Sequence, residues 1–152
     1  MARKVFFSFH YERDAWRASV VRNTGVIEGV AAAGFHDAAF WEQVQKQGKS
    51  AVENLIDKAL EETSVTVVLI GSETASRAYI AYEIERSIAR GNGIIGIRIN
   101  NIKDQNGHTD TPGIVPEPLT RISAPVYDYE YGKIGTWVEA AYLEAHPGPQ
   151  GS

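Results

Sequence analysis

The six residues Val65-Thr66-Val67-Val68-Leu69-Ile70, closed by Gly71, constrain this chain more than any other stretch. A β-branched run that is apolar on both faces belongs in the middle of a parallel sheet with helices on either side. From Ala78 to Arg90 the pattern turns helical, with Ile80, Ile84 and Ile88 on one stripe, and Gly91-Asn92-Gly93 stops it. This order sets Glu83 beside the carboxyl end of a buried strand, where open α/β sheets bind their ligands. Glu83 is therefore the first candidate for chemistry, at the border of the isoleucine stripe. Glu85, its nearest competitor, lies about 200° around the helix, beside Arg86 and toward solvent. A solvated Glu83 paired with Arg86 at i,i+3 is the plain alternative.

The remaining chain alternates strand and helix. Val5-Phe6-Phe7-Ser8-Phe9 reads as a buried first strand, and Asp14 to Asn23 as a helix carrying Trp16, Val20 and Val21. Phe35 to Phe40 is expected to form a short edge strand. Ser50 to Glu62 is the clearest amphipathic helix, with Val52, Leu55, Ile56, Ala59 and Leu60 on one face and a capping box of Ser50 with Glu53. Ile94 to Ile99 is a further strand, Ala124 to Tyr129 a last one, and Ile134 to Glu144 a last helix packing through Trp137, Val138, Ala141 and Tyr142. Between them Asn100 to Ser123, rich in Asn, Asp, Gly and Pro, is a long functional excursion. The pattern predicts one α/β domain over residues 1–145, a doubly wound sheet of about five parallel strands with right-handed crossovers. His146 to Ser152 reads as a disordered tail, in part an engineered remnant.

Composition narrows the function. The chain has 152 residues and no cysteine, which excludes disulfides, thiolate metal sites and a cysteine nucleophile and agrees with a reducing cytoplasm. A net charge of -4 argues against a broad nucleic-acid face. Apolar stretches are far shorter than the roughly 20 residues of a membrane helix, so no membrane partner is expected.

The site must then discriminate among functions that share the fold. After the first strand the chain reads His10-Tyr11-Glu12-Arg13, not the Ser/Thr/Gly-rich phosphate cradle of a flavodoxin. Neither GxxxxGK[ST] nor a GxGxxG that opens a helix after a strand is found. A phosphate-accepting receiver domain would need an Asp where Gly71 ends the central strand. No G-x-S-x-G elbow is present, and histidines 10, 36, 108 and 146 lack metal-ligand spacing. Phe9 and His10 end the first strand and should flank the crevice beside Gly71 and Ser72, where an aromatic base could stack. A core role for Phe9 and an ordinary hydrogen bond for His10 are their plainer readings.

Three stretches together resemble TIR domains, and more narrowly the TIR-like subunit of bacterial Thoeris anti-phage systems. They are Lys4-Val5-Phe6-Phe7-Ser8-Phe9-His10-Tyr11, Trp16-Arg17-Ala18-Ser19-Val20-Val21-Arg22-Asn23, and Ser76-Arg77-Ala78-Tyr79-Ile80-Ala81-Tyr82-Glu83-Ile84. The first resembles the TIR opening strand. In the third an aromatic stands four residues before the catalytic glutamate, with Tyr79 in place of the usual tryptophan and Ile80 in place of the usual cysteine. The likeness runs in order over roughly residues 3 to 100.

What the resemblance implies is a cytoplasmic enzyme that cleaves the nicotinamide–ribose bond of NAD+ and makes a cyclic ADP-ribose-type messenger, or an ADP-ribose adduct, that activates a partner effector. NAD+ is then a substrate and no cofactor is expected. Glu83 carries over as the catalytic residue. Phe9, His10, Arg17, Asn23, Ser72 and Tyr79 are the substrate-binding candidates; Arg17 and Arg22 are read as pyrophosphate ligands or, more plainly, as helix-surface arginines. Trp41 falls in the segment that in TIR domains forms a mobile loop; covering the site, self-assembly and simple packing are its readings. A phage-derived trigger is a further expected partner. The alternatives are a non-catalytic TIR assembly module and, more distantly, a nucleoside deoxyribosyltransferase-like enzyme.

Overall fold

The computed structural model describes residues 3–23, 28–30 and 38–147. In chain order its elements are β1 (Lys4–Ser8), α1 (Tyr11–Arg22), β2 (Glu28–Val30), α2 (Ala38–Lys46), α3 (Lys49–Leu60), β3 (Val65–Ile70), a 3₁₀ turn (Thr74–Ser76), α4 (Ala78–Arg90), β4 (Gly93–Arg98), α5 (Glu117–Arg121), β5 (Val126–Asp128) and α6 (Ile134–Ala145). The five strands form one sheet in the order β2-β1-β3-β4-β5, every pairing parallel. This is the doubly wound α/β architecture expected from the sequence. The strand order reverses between β1 and β3, so the crevice past Ser8 and Ile70 is the topological switch point.

Side-chain alternation assigns the helices to faces. Val68 and Ile70 of β3 and Ile94 of β4 pack with Ile80 and Ile84 of α4 and Leu119 of α5. Val65, Val67 and Leu69 lie in the larger cluster with Ile95, Ile97 and, from α6, Ile134, Val138 and Ala141. Every side chain of β3 is buried, as an all-apolar run requires. By the same alternation Ser8, in register with Val68, faces α4.

Several boundaries differ from the sequence reading, each for a local reason. The second strand is Glu28–Val30, not Phe35–Phe40. Residues 35–37 lie outside the described residues, and Ala38 to Phe40 open α2, where two alanines favour helix. Gly29 is required in β2 because a Cβ there would collide with the Phe7 ring. The capping box is not formed. Helix α3 begins at Lys49 after Gly48, whose φ of 107° reverses the chain, so Ser50 already lies inside the helix and Glu53 instead meets Lys49 at 3.8 Å. Helix α1 starts earlier than expected, at Tyr11, because His10 caps it: His10 Nδ1 accepts from the Arg13 N–H at 3.2 Å.

Gly91, Gly93 and Gly96 do spell GxGxxG, but they follow a helix and enter a strand. Gly91 is the left-handed C-cap of α4, and Gly93 admits the Ala141 backbone of α6. They serve turn and packing. The excursion holds the short α5, and of the expected tail His146 packs its ring 4.8 Å from Tyr142 while residues 148–152 lie outside the described residues. In α6, Trp137 stacks on Tyr127 at 4.4 Å, and Tyr142 lies under the Arg3 guanidinium.

Candidate active site

Helix α4 buries Ile80, Glu83, Ile84 and Ser87, an i, i+3, i+4, i+7 stripe. Glu83 is thus part of the buried stripe, with Ile88 half-buried beside it. The rotation follows from polar partners on the sheet. Thr66 Oγ1 donates to Ser87 Oγ at 2.7 Å, Ser87 Oγ donates to the Glu83 carbonyl at 2.8 Å, and Ser8 Oγ donates to Glu83 Oε1 at 2.5 Å. Tyr11 reaches Glu83 Oε2 over 3.4 Å.

Glu83 has no solvent exposure and no ion pair among the described residues. The plain alternative fails on partners: Arg86 binds Asp57 at 3.0 Å. Glu85, the competitor, is exposed and paired with Arg121 at 2.7 Å. Burial pushes the Glu83 carboxyl up to about 8, against the smaller opposing pull of the Ser8 and Tyr11 hydroxyls.

An aromatic cluster, here called the aromatic cover, extends from Tyr11, the ring that reaches this carboxyl group. Tyr11 lies 4.5 Å from Phe9 and 4.6 Å from Trp41, and Trp41 meets the edge of Tyr79 at 5.4 Å. Trp41 is buried, yet its indole N–H has no partner among the described residues. On the far side of Tyr79 opens a groove of 690 Å³ between α3 and the start of α4, lined among others by Lys49, Glu53, Ser76, Arg77, Tyr79 and Tyr82.

The other sequence candidates divide into two groups. Phe9 and Tyr79 belong to the aromatic cover, and His10 stands next to it as the α1 cap, its imidazole held below the usual value by burial and by the Arg77 charge. Arg17 and Ser72 lie instead in a second cluster, on the α1 side of the switch point. The Arg17 guanidinium is buried, donating to the Ile102 carbonyl at 2.7 Å, the His108 carbonyl at 3.0 Å and Asp14 at 3.2 Å. Ser72 donates to Asp110, which also takes 2.7 and 3.2 Å bonds from Arg13. These contacts pin the excursion onto the crevice. A Cβ on Gly113 would collide with the Gly71 carbonyl, and one on Gly71 with Asp14.

Asn23 is not brought to either cluster. It caps the far end of α1, about 20 Å from His10 at ~1.5 Å per residue, and Arg22 precedes it. Ser8 and Tyr11 are the residues that sequence reasoning left without a role. The signal for Ser8 was available: a hydroxyl in an otherwise apolar buried strand needs a partner. Among the described residues no group of three or more His, Asp or Glu side chains could hold a metal ion, and no helix is long and apolar enough to cross a membrane.

Comparison with known proteins places the chain in a family. Residues 6–104 match the family model described as Thoeris protein ThsB, TIR-like domain. A Bacillus cereus (strain MSX-D12) protein named "Putative cyclic ADP-D-ribose synthase ThsB1" is 44% identical over 137 residues, 89% of this chain and 68% of that protein. The family match takes in β3, α4 and Glu83, and the chain belongs to the ThsB TIR-like family of Thoeris proteins.

Proposed function

We propose that this chain cleaves the nicotinamide–ribose bond of NAD+ and converts the ADP-ribose part into a cyclic ADP-ribose-type messenger for a partner effector in anti-phage defence. The observation that carries the reading is Glu83: a buried carboxyl group at the end of β1, bonded to hydroxyls and without a cation among the described residues. The name of the Bacillus cereus relative supports the product class.

The chemistry needs little more than such a group. When the C1′–N bond breaks, its electron pair goes to the pyridinium nitrogen and neutral nicotinamide leaves. The positive charge passes to the ribose as an oxocarbenium ion. A carboxylate held near the ribose hydroxyls stabilises that charge as it develops. The leaving group is already cationic, so no general acid is required. A nucleophile within the same ADP-ribose closes the ring of the messenger.

Buried as it is, Glu83 is mostly protonated at neutral pH, with Tyr11 of the aromatic cover against it. The reaction therefore requires the aromatic cover to part. The entering pyridinium cation then favours the ionised carboxylate. The 690 Å³ groove beside Tyr79 has the size of a small-molecule site, and two of its lining cations, Lys49 and Arg77, are ion-paired with Glu53 and Glu12.

The test is mass spectrometry of small molecules from phage-infected cells expressing the parent or Glu83→Gln, with NAD+ followed in parallel. An ADP-ribose-derived species seen only with the parent is expected. Intact protection with no such species would assign the chain to a non-catalytic assembly module instead.

A further inference from the structure

The two oxygens of the Glu83 carboxyl are held unequally. Among the described residues Oε1 takes a 2.5 Å bond from Ser8, whereas Oε2 has only the 3.4 Å contact to Tyr11, beyond the ordinary O–H···O range of about 2.5–3.0 Å. Ser8 is fully buried at the end of β1, opposite Val68 of β3, and its side chain has a single rotatable bond to its oxygen. Its hydroxyl is a fixed point of the sheet. Tyr11 begins α1 and packs on Phe9 and Trp41, so its phenol belongs to the aromatic cover.

We propose that Ser8 is the positioning residue of this site, anchoring Oε1 so that Oε2 is the working oxygen, and that the Tyr11 hydroxyl holds the place a substrate ribose hydroxyl takes when the cover parts. The inference rests on Glu83 as the catalytic group and adds what orients it. It also explains the asymmetry: a strong anchor must persist through the reaction, while a placeholder must be easy to displace. The anchor is a neutral donor, which favours the ionised carboxyl without cancelling its charge. A lysine or arginine in the same place would hold the carboxylate too, but would repel the cationic nicotinamide.

The experiment compares the parent with Ser8→Ala, Ser8→Thr, Ser8→Val and Tyr11→Phe. Two readouts are taken: nicotinamide release in extracts of infected cells as a function of pH, and titration of the Glu83 carboxyl carbon by NMR in purified, labelled protein, with Glu83→Gln identifying the signal. Ser8→Ala should raise the Glu83 midpoint by about one pH unit, because a donor to the ionised form is lost. Its kcat near neutral pH should fall about tenfold, with the acid limb of the profile displaced upward and KM little changed. Thr should restore both, whereas Val, of the same shape without the hydroxyl, should not. That pair decides the matter even where Ala folds poorly. Tyr11→Phe should raise the midpoint by less than Ser8→Ala does, because its 3.4 Å contact is the longer of the two. A parental midpoint and kcat in Ser8→Val, or a Tyr11→Phe that reproduces the Ser8→Ala defects, would overturn the assignment. A parent that releases no nicotinamide would refute the proposed activity, and the carboxyl titration alone would still decide whether Ser8 anchors Glu83.

Discussion

Two carboxylates are buried at the carboxyl edge of this sheet, Asp14 on the α1 side and Glu83 on the α4 side, and both are desolvated enough to raise their pKa. Their partners differ. Asp14 has the Arg17 guanidinium at 3.2 Å, with Asp104 and Asp110 at 3.9 and 3.8 Å from the same arginine. Among the described residues Glu83 has hydroxyls only. A buried carboxylate with its own cation is structural: here it ties α1 to the excursion and fills the crevice at the switch point. One without a cation has room for a charge that arrives from outside, and the oxocarbenium ion of NAD+ cleavage is such a charge. The fold thus fills one side of this sheet edge, and the proposed chemistry belongs to the other.

The comparison breaks most visibly at Arg17. Arg17→Ala leaves Asp14 buried without its cation and frees the carbonyls of Ile102 and His108, which should cost about 3–5 kcal/mol. On thermal melts that is a fall of roughly 10 °C or more for a chain of this size. Replacing both members, as Asp14→Asn with Arg17→Met, should recover much of the loss. Equal losses in the single and double variants would mean that Arg17 acts by packing alone.

Glu83 should behave in the opposite way. Its folded-state value near 8 lies above the ordinary 4.5 of an unfolded glutamic acid. Between those values the unfolded chain has lost a proton that the folded chain keeps, so Glu83 lowers stability as pH rises. At about 1.4 kcal/mol per unit, Glu83→Gln should gain on the parent by roughly 3 kcal/mol between pH 5 and pH 8. Denaturant titrations at the two pH values measure this; a constant difference would show that the carboxyl is ionised and paired in the fold. The smallest effect belongs to Glu85, about half exposed like its partner Arg121. Glu85→Gln should change stability by less than about 1 kcal/mol, since exposed pairs contribute little.

Much of the fold was legible because its strongest signals carry their own punctuation. The limits of β3 and α4 coincide with the sequence reading, since an all-apolar run ends at Gly71 and a helical stripe ends at the left-handed Gly91. The edge strand β2 was not legible. Three residues around a glycine have no alternation, and Gly29 is there to receive the Phe7 ring. Glu83 could be singled out from its place in the motif. Its complete burial could not, because the turn of α4 is decided by Ser8 and Thr66 on distant strands. Arg17 and Asn23 were grouped by a sequence motif, but a helix separates its ends: Arg17 faces the excursion and Asn23 caps the opposite end.

The most direct test of the account is nicotinamide release from NAD+ in infected cells, followed for Glu83→Gln and Glu85→Gln beside the parent. The account predicts no release above background from Glu83→Gln and parental release from Glu85→Gln. Parental release from Glu83→Gln, or its loss from Glu85→Gln alone, would contradict the claim that the buried, cation-free carboxyl group carries the chemistry.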